Sequence, residues 1–309
     1  MKAQVGREPM EPALPGGLSR AAGHVGFSCA RQRRSDGRSS RLEWSHMLLD
    51  GIMLLWFSEV VLSVAFVATD IRHTPESLVM KWGFVIVTLY TGPIGLFLYV
   101  LACREPLPGM HADYVRPRWR QVVGSTMHCV AGDGIGILTA AAILSSLGAP
   151  EWLNLLAEYG LGFVFGWTIF QSLFMRDMAG GSYTRSLRMT FLPEFVSMNG
   201  VMAGMVALSV PWRQSLGALG TPGHPEFWFV MSISLTLGFA VTFPLNWWLV
   251  SAGLKHGMIT VPSVENDATE APMRAMARPM AKAGMVVVSL AMLAAGVTIA
   301  GTLGSLTTR

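Results

Sequence analysis

Seven stretches of about twenty apolar residues run through the chain, separated by short polar segments. A helix of this length crosses the roughly 30 Å hydrocarbon layer of a bilayer and satisfies its own backbone polar groups there. Charged residues make up only 14% of the chain, against roughly a quarter in a soluble domain. The sequence therefore predicts an all-α, polytopic helical membrane protein with about seven transmembrane helices. The predicted spans are 48–69, 79–102, 126–147, 152–175, 190–210, 228–251 and 284–303.

The positions of Lys and Arg predict the orientation of these spans. Nineteen of the 23 lie before the first span or between spans two and three, four and five, or six and seven. Positively charged segments mark the cytoplasmic side of such proteins. We therefore expect a cytoplasmic N-terminus and a C-terminus on the other side. The net charge of +4 follows from this topology, so it does not indicate a nucleic-acid partner.

The chain divides into four predicted regions. Residues 1–46 form a basic N-terminal tail, rich in Gly, Ser, Arg and Pro, that is expected to be disordered. Met47 directly before the first span is an alternative start of translation to Met1. Residues 47–124 form a two-helix membrane hairpin and residues 125–258 a four-helix membrane core. Residues 259–309 provide a linker and a single C-terminal transmembrane helix.

Glycine pairs and helix-breaking motifs within the spans predict where helices pack closely and where they are interrupted. Small residues four apart let helices approach closely in lipid. The motifs TGPIG at 91–95 and TFPLNWW at 242–248 interrupt spans two and six, and such breaks in transporters expose backbone groups to a substrate. The glycine pairs are Gly132 with Gly136, Gly162 with Gly166, and Gly200 with Gly204.

Polar side chains inside the spans predict a cavity open to the cytoplasm, centred on Asp133 and His128. An ionisable group at the middle of a span costs about 2.5–3.5 kcal/mol to insert, which makes it a functional candidate. The candidates, all in the predicted cytoplasmic half except the mid-depth Glu59, are His128, Asp133, Gln171, Glu194, Asn199, Asn246 and Glu59.

Two simpler interpretations stay open for these residues. His128 and Glu194 lie near the interface, where water and headgroups can solvate them, and Asn or Gln side chains often join neighbouring helices. A metal site is a further alternative, since His128, Cys129 and Asp133 are all ligand types. Adjacent positions 128 and 129 point about 100° apart on a helix, which makes joint ligation awkward unless the GDGIG segment unwinds. Apart from that metal, no cofactor is predicted.

Four motifs in order carry a resemblance to a known family. They are STMHCVAGDGIGI, FQSLFMRDMAGGS, FLPEFVSMNGVMAGM and FPLNWWLVSAGLKHGM, over about 125–258. This segment resembles the bacterial membrane family catalogued as domain of unknown function 4396. The segment VMKWGFVIVTLYTGPIGLFLYVLACREPLPG resembles the extended N-terminal part of some members. The resemblance implies a four-helix membrane core and a multi-pass location in the inner (plasma) membrane, and it implies no reaction.

The leading functional hypothesis is a permease-like transporter of an ion or small polar solute, coupled to protons through Asp133, Glu194 or Glu59. The alternative is a non-transporting membrane scaffold or assembly subunit, packed through its glycine pairs. An enzyme ranks third, because the chain contains no HExxH, GxSxG, Walker A or paired CxxC motif. The expected partners are the lipid bilayer and a small solute or ion, and the oligomeric state is open.

Overall fold

The computed structural model describes residues 47–176, 180–257 and 279–306, and these are helical without any strand. The predictions for the tail 1–46 and for most of the linker 259–283 lie outside these ranges. One of the helices contains a π-helical segment, Phe165–Gln171, and another is followed by a 3₁₀ turn, Gly217–Gly220. The helices are α1 Met47–His73, α2 Leu78–Thr91, α3 Pro93–Ala102, α4 His111–Val115, α5 Arg118–Ser146, α6 Glu151–Phe174, α7 Tyr183–Leu216, α8 Pro225–Ser251 and α9 Pro279–Leu303.

Six of these helices are long and apolar enough to cross a membrane, namely α1, α5, α6, α7, α8 and α9. The predicted fold class, an all-α polytopic helical protein, is confirmed. Six of the seven predicted spans coincide with these helices. The remaining stretch, 79–102, has a different structure.

The stretch 79–102 is a re-entrant hairpin formed by α2 and α3. Gly92 between them adopts φ 56° and ψ −130°, a conformation open to glycine because it has no Cβ. Phe84 lies eight residues before this turn and Tyr99 seven after it, yet their ring centroids are 5.5 Å apart. Fifteen residues of continuous helix would separate them by about 22 Å. The chain therefore turns back at Gly92 and leaves the hairpin at the end where it entered.

The base of the hairpin lies beside the C-terminal end of α1. Asp70 near that end accepts a hydrogen bond of 2.8 Å from Tyr99 Oη and forms an ion pair of 2.9 Å with Arg104. We call this end of the bundle the basic end, because the described segments there, 74–77, 103–117, 175–176, 180–182 and 252–257, hold Arg104, Arg116, Arg176 and Lys255.

The hairpin changes the path of the chain through the bundle. From α5 onward the five long helices alternate in direction, so residue 306 lies at the end opposite the basic end. Met53 also lies there, since Trp56, one turn further on, donates a hydrogen bond of 3.1 Å to Ser232 near the start of α8. The six long helices are roughly consistent with the predicted seven spans, and the difference is the stretch 79–102, which forms the hairpin. Hydropathy cannot distinguish a hairpin from a span of equal length. That the basic end faces the cytoplasm stays a prediction.

Prolines do not interrupt the long helices where the sequence suggested. Helix α8 continues through Pro244, so the predicted break at 242–248 is absent, while the predicted break at 91–95 is the Gly92 turn. Helix α7 contains Pro193 and Pro211 and extends beyond the predicted 190–210 at both ends. Proline removes one backbone hydrogen bond, yet both helices continue through these three positions, of which only Pro193 is buried.

The glycine pairs bring helices together as predicted. A methyl group at Gly136 would overlap the backbone of Leu161 in α6, and one at Gly204 would lie 2.8 Å from the carbonyl oxygen of Leu237 in α8. The pairs therefore pack α5 against α6 and α7 against α8 within this chain.

Candidate functional site

Lys255 occupies the centre of a buried polar network at the basic end. Helix α8 ends at Ser251, and Gly253 at φ 66° turns the chain back toward the bundle. Only 5% of Lys255 is exposed. Its Nζ donates hydrogen bonds to Cys129 Sγ at 2.7 Å, Ser197 Oγ at 2.8 Å and Asn246 Oδ1 at 2.9 Å. All three ammonium donors of the lysine are thereby used.

The network ties together helices α5, α7 and α8. Ser197 Oγ donates to Asn246 Oδ1 at 2.6 Å, and Asn246 Nδ2 donates to Thr126 Oγ1 at 3.1 Å. Thr242 Oγ1 donates to the backbone carbonyl of Ser197 at 2.9 Å. These side chains hold the acceptors of Lys255 in place.

Cys129 connects the lysine to two further helices. Its Sγ accepts a second hydrogen bond, of 2.6 Å, from Gln171 Nε2 in α6. The thiol in turn lies 3.5 Å from Glu194 Oε2 in α7 and donates to it. A continuous series of polar contacts therefore runs from Lys255 through Cys129 to Glu194.

Asp133 and Glu194 form a buried carboxyl pair at the inner end of this series. Both are fully buried, and a methyl group added at Gly166 would overlap an oxygen atom of each. Within the described residues, no N–H or O–H group donates to either Asp133 oxygen or to Glu194 Oε1. Two neighbouring carboxyl groups can hydrogen-bond to each other only when one carries a proton. A proton shared between the two carboxyl groups would provide the donor that these oxygen atoms lack.

The π-helical segment of α6 shapes one wall of this site. Gly166 faces the carboxyl pair and Gln171 faces Cys129, although they are five residues apart. In a regular α-helix such positions point about 140° apart. The wider π turn brings them to one side, and π segments occur frequently at functional sites.

A pocket of about 240 Å³ opens beside Lys255 at the basic end. Its polar lining comes from Gln171, Thr190, Lys255, His256 and Lys282, and the described residues that line it include no carboxylate. The rest of the lining is apolar, from Met175, Met189, Pro193, Gly253 and Leu254, so the pocket combines cationic groups with an apolar wall.

Four predicted cavity residues come together in this network: Asp133, Glu194, Gln171 and Asn246. Lys255 is the residue that the sequence analysis did not place in the cavity, because it follows the last apolar residue of the span. The glycine two residues before it was the available signal, since glycine commonly ends a helix and redirects the chain.

Three other candidates lie outside the network. The ring of His128 packs between Phe170 and Phe174, at centroid distances of 5.4 and 5.2 Å. Asn199 accepts a hydrogen bond of 2.8 Å from Tyr159 and donates one of 3.0 Å to Ser289, which joins α6, α7 and α9.

Glu59 is half-buried in α1, and within the described residues no hydrogen bond or ion pair joins it to the network. The predicted metal ligands His128, Cys129 and Asp133 are not grouped, because the His128 ring points away from the other two.

A second buried charge cluster lies at the end opposite the basic end. Arg213 lies in the last turn of α7 and is 6% exposed. Its guanidinium pairs with Glu151 at 2.5 Å and lies 3.9 Å from Glu158. Ser145 accepts a further hydrogen bond of 3.3 Å from it. These contacts fix the ends of α5, α6 and α7 together.

Comparison with known families agrees with the motif resemblance. Residues 118–255 match the family model described as Domain of unknown function (DUF4396). The matched segment begins at α5 and ends at Lys255, so it contains the whole polar network. No curated protein and no solved structure shows significant similarity to the chain.

Proposed function

We propose that this DUF4396 domain is the core of a permease-like transporter that couples protons to a small anion or polar solute. The observation that carries the proposal is the group of three buried ionisable residues, Asp133, Glu194 and Lys255, behind a pocket open at one end of the bundle. Asp133 and Glu194 lie inside apolar helices, where an ionisable group at mid-membrane costs about 2.5–3.5 kcal/mol to insert, which favours a functional role.

The balance of charges in the buried site couples anion binding to proton uptake. With both carboxyl groups ionised the three residues carry a net charge of −1, and with one shared proton they are neutral. An anion beside Lys255 adds one negative charge, which a second proton on the pair offsets. Because unbalanced charge is costly in a buried site, anion binding and proton uptake favour each other. The expected reaction is symport of one proton with each negative charge.

The contacts supply a path for that proton. Lys255 lies at the pocket, Cys129 lies between it and Glu194, and Asp133 lies beyond. The π segment of α6 lines the path and contains a turn that can rewind to regular helix, which favours it as the moving element.

The scaffold hypothesis has the same spans packed through the glycine pairs, with partners held by the cytoplasmic loops. Movement of an added anion across the membrane is the property that distinguishes the permease from it.

Proteoliposomes with an internal pH-sensitive dye test the proposal. Inorganic phosphate, sulfate and succinate are added outside, and lumenal acidification is compared with protein-free vesicles. We expect at least one anion to acidify the lumen with wild-type protein. Asp133→Asn and Lys255→Met should each reduce the rate at least tenfold while the protein stays monodisperse.

Glu59→Gln is the matched control, because Glu59 is a membrane carboxyl group outside the network. It should retain the wild-type rate. Equal rates for Asp133→Asn and wild type, or equal losses in Asp133→Asn and Glu59→Gln, would contradict the proposed coupling. Inactivity of wild type with all three anions would contradict the anion assignment.

A further inference from the structure

A second group of chemically reactive side chains lies at the base of the re-entrant hairpin. Glu76 precedes α2, Cys103 follows α3, and His111 begins α4. One ligand atom from each lies within 4.8 Å of the other two, and His111 Nε2 is 2.8 Å from Glu76 Oε1. All three residues are buried, with at most 5% of each exposed.

The three side chains offer oxygen, sulfur and nitrogen to a common point. A tetrahedral ion with bonds of about 2.0–2.3 Å places its ligand atoms about 3.3–3.8 Å apart. The observed separations reach that arrangement with shifts on the order of 1 Å. His111 Nδ1 is buried and has no hydrogen-bond partner within the described residues, so the ring retains unused binding capacity.

We propose that Glu76, Cys103 and His111 bind a divalent transition-metal ion of the zinc type, with the fourth position open to water or a solute. Thiolate together with imidazole favours zinc over magnesium or calcium, which prefer oxygen ligands. A thiolate, a carboxylate and a neutral imidazole around a divalent ion give a neutral site, as its burial requires.

Metal binding at this site releases protons. Burial, reinforced by the neighbouring Glu76, raises the pKa of the Cys103 thiol well above its usual range, so the thiol is protonated at neutral pH without a metal. The ion forms its bond to sulfur as the S–H proton leaves to solvent. The affinity for the metal ion should therefore increase about tenfold for each unit of rising pH, for each proton that binding releases.

The position of the site suggests what the ion would do. It would join the segments before α2 and after α3, the two legs of the hairpin, to α4. The site lies outside residues 118–255 and shares no residue with the Lys255 network, so its failure would leave the transport proposal intact.

Cobalt titration of the full-length, tag-free protein in detergent tests the site, since a thiolate–cobalt bond produces a charge-transfer absorption. We expect saturation at one Co²⁺ per chain, displacement by Zn²⁺, and at least a tenfold loss of affinity in Cys103→Ser and in His111→Gln. Cys129→Ser is the matched control, a second buried thiol in the same bundle, and should retain the wild-type absorption. Size-exclusion chromatography verifies that each variant is folded.

Two outcomes would overturn the proposal. One is a folded wild type that shows no thiolate–cobalt absorption even at alkaline pH. The other is an absorption that survives Cys103→Ser. In either case the group is a Glu76–His111 ion pair beside an inert thiol.

Discussion

Cysteine labelling can decide whether residues 78–102 turn back or cross the membrane. His73 and Leu107 flank the re-entrant hairpin, and both are exposed. If α2 and α3 formed one continuous helix, Glu76 and Cys103 would lie about 40 Å apart, on opposite sides of a hydrocarbon layer of roughly 30 Å. In the structure their ligand atoms lie within 4.8 Å of each other. Cysteines introduced at positions 73 and 107 should therefore face the same aqueous compartment.

The assay uses a membrane-impermeant maleimide on intact cells and on inverted vesicles. His73→Cys and Leu107→Cys are introduced singly after Cys29→Ser, and the buried native thiols at 103 and 129 serve as the unlabelled baseline. Leu147→Cys is the reference for the other end, because Leu147 is 74% exposed between α5 and α6. We expect positions 73 and 107 to label from one side and position 147 from the other. Labelling of 73 together with 147 would refute the hairpin and restore the seven-crossing path.

Three further substitutions test the packing and the site. The methyl group of Gly136→Ala would overlap the backbone of α6. The variant should be less stable, because an overpacking cost of about 3 kcal/mol exceeds a helix-propensity gain of about 1 kcal/mol. A methyl group at Gly160 has nothing within 4 Å, so Gly160→Ala should have only the favourable change in helix propensity. The melting temperatures of the two variants in detergent, followed by intrinsic fluorescence, should therefore differ by about 5 °C. Arg213→Met leaves buried carboxylates unpaired and should lower the free energy of unfolding by about 3–5 kcal/mol, a loss that adding Glu158→Gln should partly reverse in denaturation curves. Gly166→Ala should stay folded but displace the carboxyl pair, and anion-driven acidification should fall as far as it does on removal of one carboxyl group.

The parts of the site that follow from sequence are those fixed by helix geometry. Asp133, Glu194, Gln171 and Asn246 lie at similar depths in four consecutive spans, and antiparallel packing brings such positions together. Cys129 shares a helix face with Asp133 because the two are four residues apart, whereas His128 points about 100° away, toward Phe170.

The remainder depends on changes of direction that hydropathy does not record. Lys255 reaches the network because Gly253 turns the chain back into the bundle, so depth counted along a straight helix misplaces it. The Gly92 turn and Pro244 gave similar breaker signals, yet only the first redirects the chain. A glycine at positive φ reverses the path, whereas the exposed Pro244 leaves its helix continuous.

A segment that leaves one membrane surface and returns to the same surface adds no net crossing to the chain. Residues 74–117 could be gained or lost without inverting any later helix, because the parity of bilayer crossings is the same with and without them. The six crossings would keep their order, and the residues that follow, from Arg118 onward, would meet the same leaflets. An insertion or deletion of this segment therefore leaves the direction of every later helix unchanged.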